Sequence, residues 1–157
     1  MPTKPTPPTP PRPPSKGEVE LDLAPTPAVS AGSDALVLVV VDDDPSIRAM
    51  LLHALGKTYT IYEARDGQEA KDILEAIPAP DGIVCDVMMP RLDGVELAKA
   101  LRKDKALQRV PILFLTAKDG AMDVIAGINA GARHYVTKPF KIADVVAKVA
   151  LMTSKKR

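Results

Sequence analysis

Ile83-Val84-Cys85-Asp86-Val87-Met88-Met89-Pro90 is the stretch that decides how this sequence folds. It is a short apolar run closing on one carboxylate, with a proline and the turn-forming pair Asp93-Gly94 behind it. That length and composition suit a strand buried on both faces, as in a parallel sheet. Asp86 then stands at the strand's carboxyl end, the edge at which open α/β sheets hold their ligands. One aspartate there means little by itself. Weight comes from whatever else the chain delivers to the same edge.

Working outward, residues 36–41 (Leu-Val-Leu-Val-Val-Val) form an earlier run of the same kind, rich in β-branched residues, which leads straight into Asp42-Asp43-Asp44-Pro45. Asp44 before Pro45 is an N-cap followed by proline at the first helical position. Ile47, Met50, Leu51, Ala54 and Leu55 then recur at helical spacing until Gly56. Residues 59–64 read as a second strand and Asp66-Gly67 as a turn. Ala70, Ile73, Leu74 and Ile77 mark a helix stopped by Pro78 and Pro80. Beyond the central stretch, Leu97, Ala98 and Leu101 give a helix, and residues 111–115 a strand ending at Thr116. Residues 122–130 give a weaker helix ending at Gly131, and residues 135–137 a short strand leading to Lys138-Pro139-Phe140. Ile142, Val145, Val146, Val149 and Met152 stripe a last helix. The cations Lys155, Lys156 and Arg157 at its end suit the helix dipole and need no further role. Strand and helix therefore alternate five times. That order predicts an α/β fold of the flavodoxin-like, doubly wound type, a five-stranded parallel (βα)5 sheet with right-handed crossovers.

Composition narrows the function classes. Of 157 residues 16 are proline, and ten of those fall in residues 1–34, a Pro/Thr- then Ala/Ser-rich segment with few large apolar groups. Such a segment buries too little surface to offset its ordering entropy, so it reads as a disordered tail with polyproline-II character. Residues 35–157 remain, enough for one domain with a proper core. Lysine and arginine number 21 against 20 acidic residues, a balance that gives no reason to expect nucleic acid or an acidic membrane as partner. Cys85 is the sole cysteine, which rules out an internal disulfide and a cysteine-built zinc site. No apolar run reaches membrane-spanning length and the N-terminus lacks a secretion signal's apolar core, so a cytoplasmic location is expected.

All strand ends of a parallel sheet lie on one edge. Asp42 and Asp43, Asp86, Thr116 and Lys138 are therefore expected to share a crevice. Three carboxylates that close would force one to protonate unless a cation sits among them. Ligands made only of oxygen favour a hard ion, Mg²⁺ above a transition metal. A fixed ammonium from Lys138 and a hydroxyl from Thr116 complete a setting suited to a phosphoryl group on a carboxylate.

The chain resembles a response-regulator receiver domain of two-component signalling, of the stand-alone, CheY-like type, over residues 35–157. Val39-Val40-Val41-Asp42-Asp43-Asp44-Pro45-Ser46-Ile47-Arg48 and Cys85 through Gly94 carry the likeness. Leu115-Thr116-Ala117, Ala130-Gly131-Ala132 and Tyr135-Val136-Thr137-Lys138-Pro139-Phe140 complete it. The resemblance implies that Asp86 accepts phosphate from a sensor histidine kinase or a histidine phosphotransfer protein. It implies Mg²⁺ held by Asp42, Asp43, Asp86 and the Met88 backbone carbonyl, with Thr116 and Lys138 on the phosphoryl oxygens. Tyr135 would be an aromatic switch coupled to Thr116, and the Lys138–Pro139 peptide would be cis, where general statistics favour trans. Such a domain catalyses only its own phosphorylation and dephosphorylation and is not otherwise an enzyme. With no output domain after Arg157, a downstream protein target is expected on the last helix–strand–helix face, residues 122–152. Dimerisation on phosphorylation is compatible with the likeness.

Some residues depart from the family's habit. Arg133 and His134 stand where acidic residues are common. Met88 and Lys118 flank the family's water path to the phosphoaspartate, and an apolar Met88 offers nothing to orient water. Slow self-dephosphorylation is expected, and faster phosphate loss from Met88→Asn would test it. Two rivals stay in view. Val41-Asp42-Asp43-Asp44 also resembles the first-strand signature of haloacid-dehalogenase-like phosphohydrolases, which would make Asp42 a nucleophile and leave Asp86 without a task. A degenerate receiver serving only as a scaffold is the other.

Overall fold

The computed structural model describes residues 25–87, 94–116 and 134–154. Five strands and four helices occur there: β1 (Val37–Val41), α1 (Pro45–Leu55), β2 (Thr60–Ala64), α2 (Gly67–Ala76), β3 (Gly82–Asp86), α3 (Gly94–Arg102), β4 (Ile112–Thr116), β5 (His134–Thr137) and α4 (Ile142–Ser154). The helix expected over residues 122–130, Met88, most of the Pro-rich segment and the three C-terminal cations lie outside the described residues.

All neighbouring strands pair in parallel, in the order β2-β1-β3-β4-β5. That is the flavodoxin-like arrangement. Because successive side chains point to opposite faces, each strand feeds two cores. Val39, Val41, Ile83, Cys85 and Phe114 pack on Leu74 of α2 and on Leu97 and Leu101 of α3. Leu38, Val40, Ile61, Val84, Leu113 and Leu115 pack on Leu51 and Leu55 of α1 and on Val145, Val149 and Met152 of α4. Burial on both sides explains why the strands are continuous apolar runs. Cys85 is one of these fillers, fully buried.

Local chemistry sets the helix starts. The Asp44 carboxylate accepts from the N–H groups of Ser46 (2.8 Å) and Ile47 (3.4 Å), ahead of Pro45 in the first turn. The Asp66-Gly67 pair, expected as a simple turn, is the start of α2. Asp66 accepts from the Glu69 N–H at 2.8 Å, and the Glu69 carboxylate accepts from the N–H of Arg65, the residue before the cap, at 2.7 Å, an arrangement close to a capping box. Gly94, expected in a turn, is instead the first residue of α3.

One boundary needs correction. The segment expected to have no fixed structure runs through Asp34, but within its described residues Val29 forms an antiparallel bridge with Ile61 on the outer edge of β2. An edge strand offers unpaired N–H and C=O groups, and an extended neighbour satisfies them whatever its composition.

Candidate functional site

Strand register builds the site. Val41 of β1 lies level with Cys85 of β3, so the next residues, Asp42 and Asp86, sit side by side where the sheet's crossovers diverge to opposite faces. Asp86 lies level with Leu115 of β4, and Thr116 with Thr137 of β5, which brings Lys138 to the same edge one strand further on. The Lys138 N–H donates to the Thr116 carbonyl at 2.7 Å, and the Lys138–Pro139 bond is cis, as the resemblance implies.

Carboxylate oxygens of Asp42, Asp43 and Asp86 lie within 4.8 Å of one another, with Asp43 exposed and the other two buried. Lys138 spans the pair, its Nζ 3.4 Å from Asp42 Oδ2 and 3.3 Å from Asp86 Oδ1. Asp42 Oδ1 also accepts the Asp44 N–H at 2.9 Å. Burial pushes the Asp86 carboxyl up from the usual 3.8 to about 6, and the Asp42 charge adds to this against the pull of Lys138. Asp42 is raised too, again by burial, partly offset by the Asp44 N–H and by Lys138. Burial acts to lower Lys138, but Asp86 and Asp42 outweigh it and leave the ammonium above its ordinary value. The pocket thus holds more negative charge than one lysine neutralises. Three hard oxygen donors so placed fit a divalent cation such as Mg²⁺.

Thr116 ends β4 on this edge, fully buried. Tyr135 does not point into the crevice region: it is 40% exposed on β5, against a groove of about 630 Å³ lined also by Asp144, Ala147, Lys148 and Leu151.

Two contributors were not singled out from sequence. Arg48 donates from Nη1 to the Asp42 carbonyl at 2.9 Å and from Nε to Glu63 Oε1 at 3.0 Å, while the Asp42 N–H donates to the Ala64 carbonyl at 3.1 Å. The Asp42 peptide is thereby held at both ends. A cation in the first turn opposes the helix dipole, and that was the signal available. Gly94 is the second. A Cβ there would lie 2.5 Å from the Asp86 carbonyl oxygen and 2.9 Å from Val87 Cα, so α3 can begin directly behind Asp86 only with glycine.

Comparison with known proteins agrees with this geometry. Residues 38–150 match the profile of the response regulator receiver domain. Response regulator MprA of Mycolicibacterium vanbaalenii is 42% identical over 113 residues, 71% of this chain and 48% of the relative. The chain thus spans about half the length of the curated relatives it matches. Among solved structures, the receiver domain of the Francisella response regulator 1452 is 32% identical with a TM-score of 0.69, over 78% of this chain and 99% of that one. The chemotaxis response regulator CheY4 of Vibrio cholerae is 31% identical with a TM-score of 0.69, over 75% and 98%.

Proposed function

This chain belongs to the response regulator receiver domain family of two-component signalling, and on that premise we propose that Asp86 is its phosphoacceptor. The observation that carries this is the convergence of Asp42, Asp43, Asp86 and the Lys138 ammonium at one sheet edge. An Asp86 carboxylate oxygen attacks the phosphorus of a phosphohistidine on a sensor kinase or phosphotransfer protein. The O–P bond forms as the P–N bond breaks, and the imidazole nitrogen leaves with the electron pair. Lys138 stays between Asp42 and the new acyl phosphate and offsets charge on the phosphoryl oxygens. Thr116 supplies a hydroxyl donor to them. Asp42 and Asp43 with Asp86, and the Met88 carbonyl from outside the described residues, would hold Mg²⁺. Bound there, the ion supplies the positive charge that the carboxylates and the phosphoryl group together require.

Phosphorylation changes local charge, and the Thr116–Tyr135 pair carries that change to a protein target on the stretch of residues 122–152, within whose described part, β5 and α4, Tyr135 flanks the groove. On this reading the chemistry is phosphoryl transfer to and from the chain's own Asp86. Among the described residues no helix is long and apolar enough to cross a membrane. The phosphohydrolase alternative finds no support: residues 38–150 match the receiver-domain family, and that reading leaves Asp86, which Lys138 holds beside Asp42, without a task.

Acetyl phosphate with Mg²⁺, followed by borohydride reduction and peptide mapping, should label Asp86 and give no label in Asp86→Asn. Label on Asp42 would sink the proposal. Thr116→Ala should still take up phosphate but bind its target equally with and without beryllofluoride. Retained dependence would break the proposed link.

A further inference from the structure

Residues 25–30 follow an alternating pattern, with Pro25, Pro27 and Val29 half-buried and Thr26, Ala28 and Ser30 exposed. This is the signature of an extended segment lying on a surface. The segment bonds to the outer edge of β2. The N–H groups of Ala28 and Val29 donate to the Ile61 carbonyl at 2.7 and 3.3 Å, the Ile61 N–H donates to the Val29 carbonyl at 2.8 Å, and the Ala31 N–H donates to Thr60 Oγ1 at 3.2 Å. Val29 packs over Gly56 at the end of α1, where a Cβ would lie 2.7 Å from Val29 Cγ1. In this antiparallel register Pro27 falls opposite Glu63. Having no N–H, it cannot extend the ladder, which accounts for pairing that stops at one bridge. A turn closed by the Ala35 N–H on the Gly32 carbonyl (3.2 Å) joins the segment to β1, with Gly32 at φ +115°.

We propose that the β2 edge is a strand-pairing surface which the chain fills with its own residues 28–31, and that opening the Gly32 turn lets the same segment pair with β2 of a second copy. Each copy then offers one donor segment and one acceptor edge, so reciprocal exchange closes a two-fold dimer without leaving an edge bare. This surface lies at the sheet edge opposite β5 and is independent of Asp86.

Gly32 gives a clean perturbation. A Cβ there meets nothing within 4 Å, so the strain in Gly32→Val comes first from its disfavoured positive φ. In the full chain, Gly32→Val should speed hydrogen exchange of the Ile61 amide about tenfold or more at low concentration. At high concentration and without beryllofluoride it should sediment as a dimer under conditions in which wild type sediments as a monomer. Adding Val29→Asp, which keeps the backbone groups but removes the apolar side chain that seats the segment over Gly56, should keep the fast exchange and restore the monomer. Unchanged Ile61 exchange in Gly32→Val, a variant that stays monomeric at high concentration, or a dimer that survives Val29→Asp would each overturn the proposal.

Discussion

Replacing Asp86 by asparagine removes a charge that the folded chain holds at a cost, and the structure sets the size of that cost. The Asp86 carboxyl is raised from 3.8 to about 6 by burial and by Asp42. At about 1.4 kcal/mol per pH unit, the ionised form destabilises the metal-free fold by about 3 kcal/mol at neutral pH. The folded carboxyl keeps its proton where the unfolded one has lost it. Stability therefore falls as pH rises from about 3.8 to about 6 and is level above that. A neutral amide at this position would escape the cost, while giving up an ion pair that Lys138 still makes with Asp42. Asp86→Asn should gain about 1–3 kcal/mol at pH 7.5 in EDTA, or on the order of 5–10 °C in melting temperature. The gain should shrink by about two-thirds at pH 4.5. Saturating Mg²⁺ should narrow the gap by stabilising wild type preferentially. Urea unfolding at both pH values, with and without the ion, reads all three effects. A variant no more stable than wild type at pH 7.5 in EDTA, or one stabilised equally at pH 4.5, would refute the account of the carboxyl cluster.

Lys138→Met should leave Asp42 and Asp86 without their shared counter-charge. A carboxyl NMR titration should find Asp86 protonating above pH 6, and urea unfolding should show a loss of about 1–3 kcal/mol at neutral pH. Gly94→Ala forces the backbone behind Asp86 to move, so thermal unfolding should show a loss of about 1–3 kcal/mol together with slower uptake from acetyl phosphate. Arg48→Ala frees the Asp42 carbonyl, and both about 1.5–3 kcal/mol less stability and weaker Mg²⁺ binding by calorimetry are expected. Mg²⁺ affinity of wild type should fall as pH drops through about 6, where protons compete for Asp86. A pH-independent calorimetric constant would contradict that.

The layered α/β fold was legible in the sequence, and so was the set of polar groups expected at its strand ends. Apolar runs of strand length, capped helices between them and polar residues at strand ends are local signals, written in consecutive side chains. They suffice to name Asp42, Asp43, Asp86, Thr116 and Lys138. Tertiary structure alone decided how those groups meet. Lys138 reaches Asp42 across 96 positions of chain, because the register of four strands brings it there and no local propensity encodes that. The raised Asp86 carboxyl, the need for glycine at position 94 and the Arg48 clamp all depend on neighbours from other elements. Val29 was read as part of a structureless tail for the same reason. Its composition is poor in apolar groups, and what orders it is the open hydrogen-bonding edge of β2, a partner that exists only once the sheet has formed.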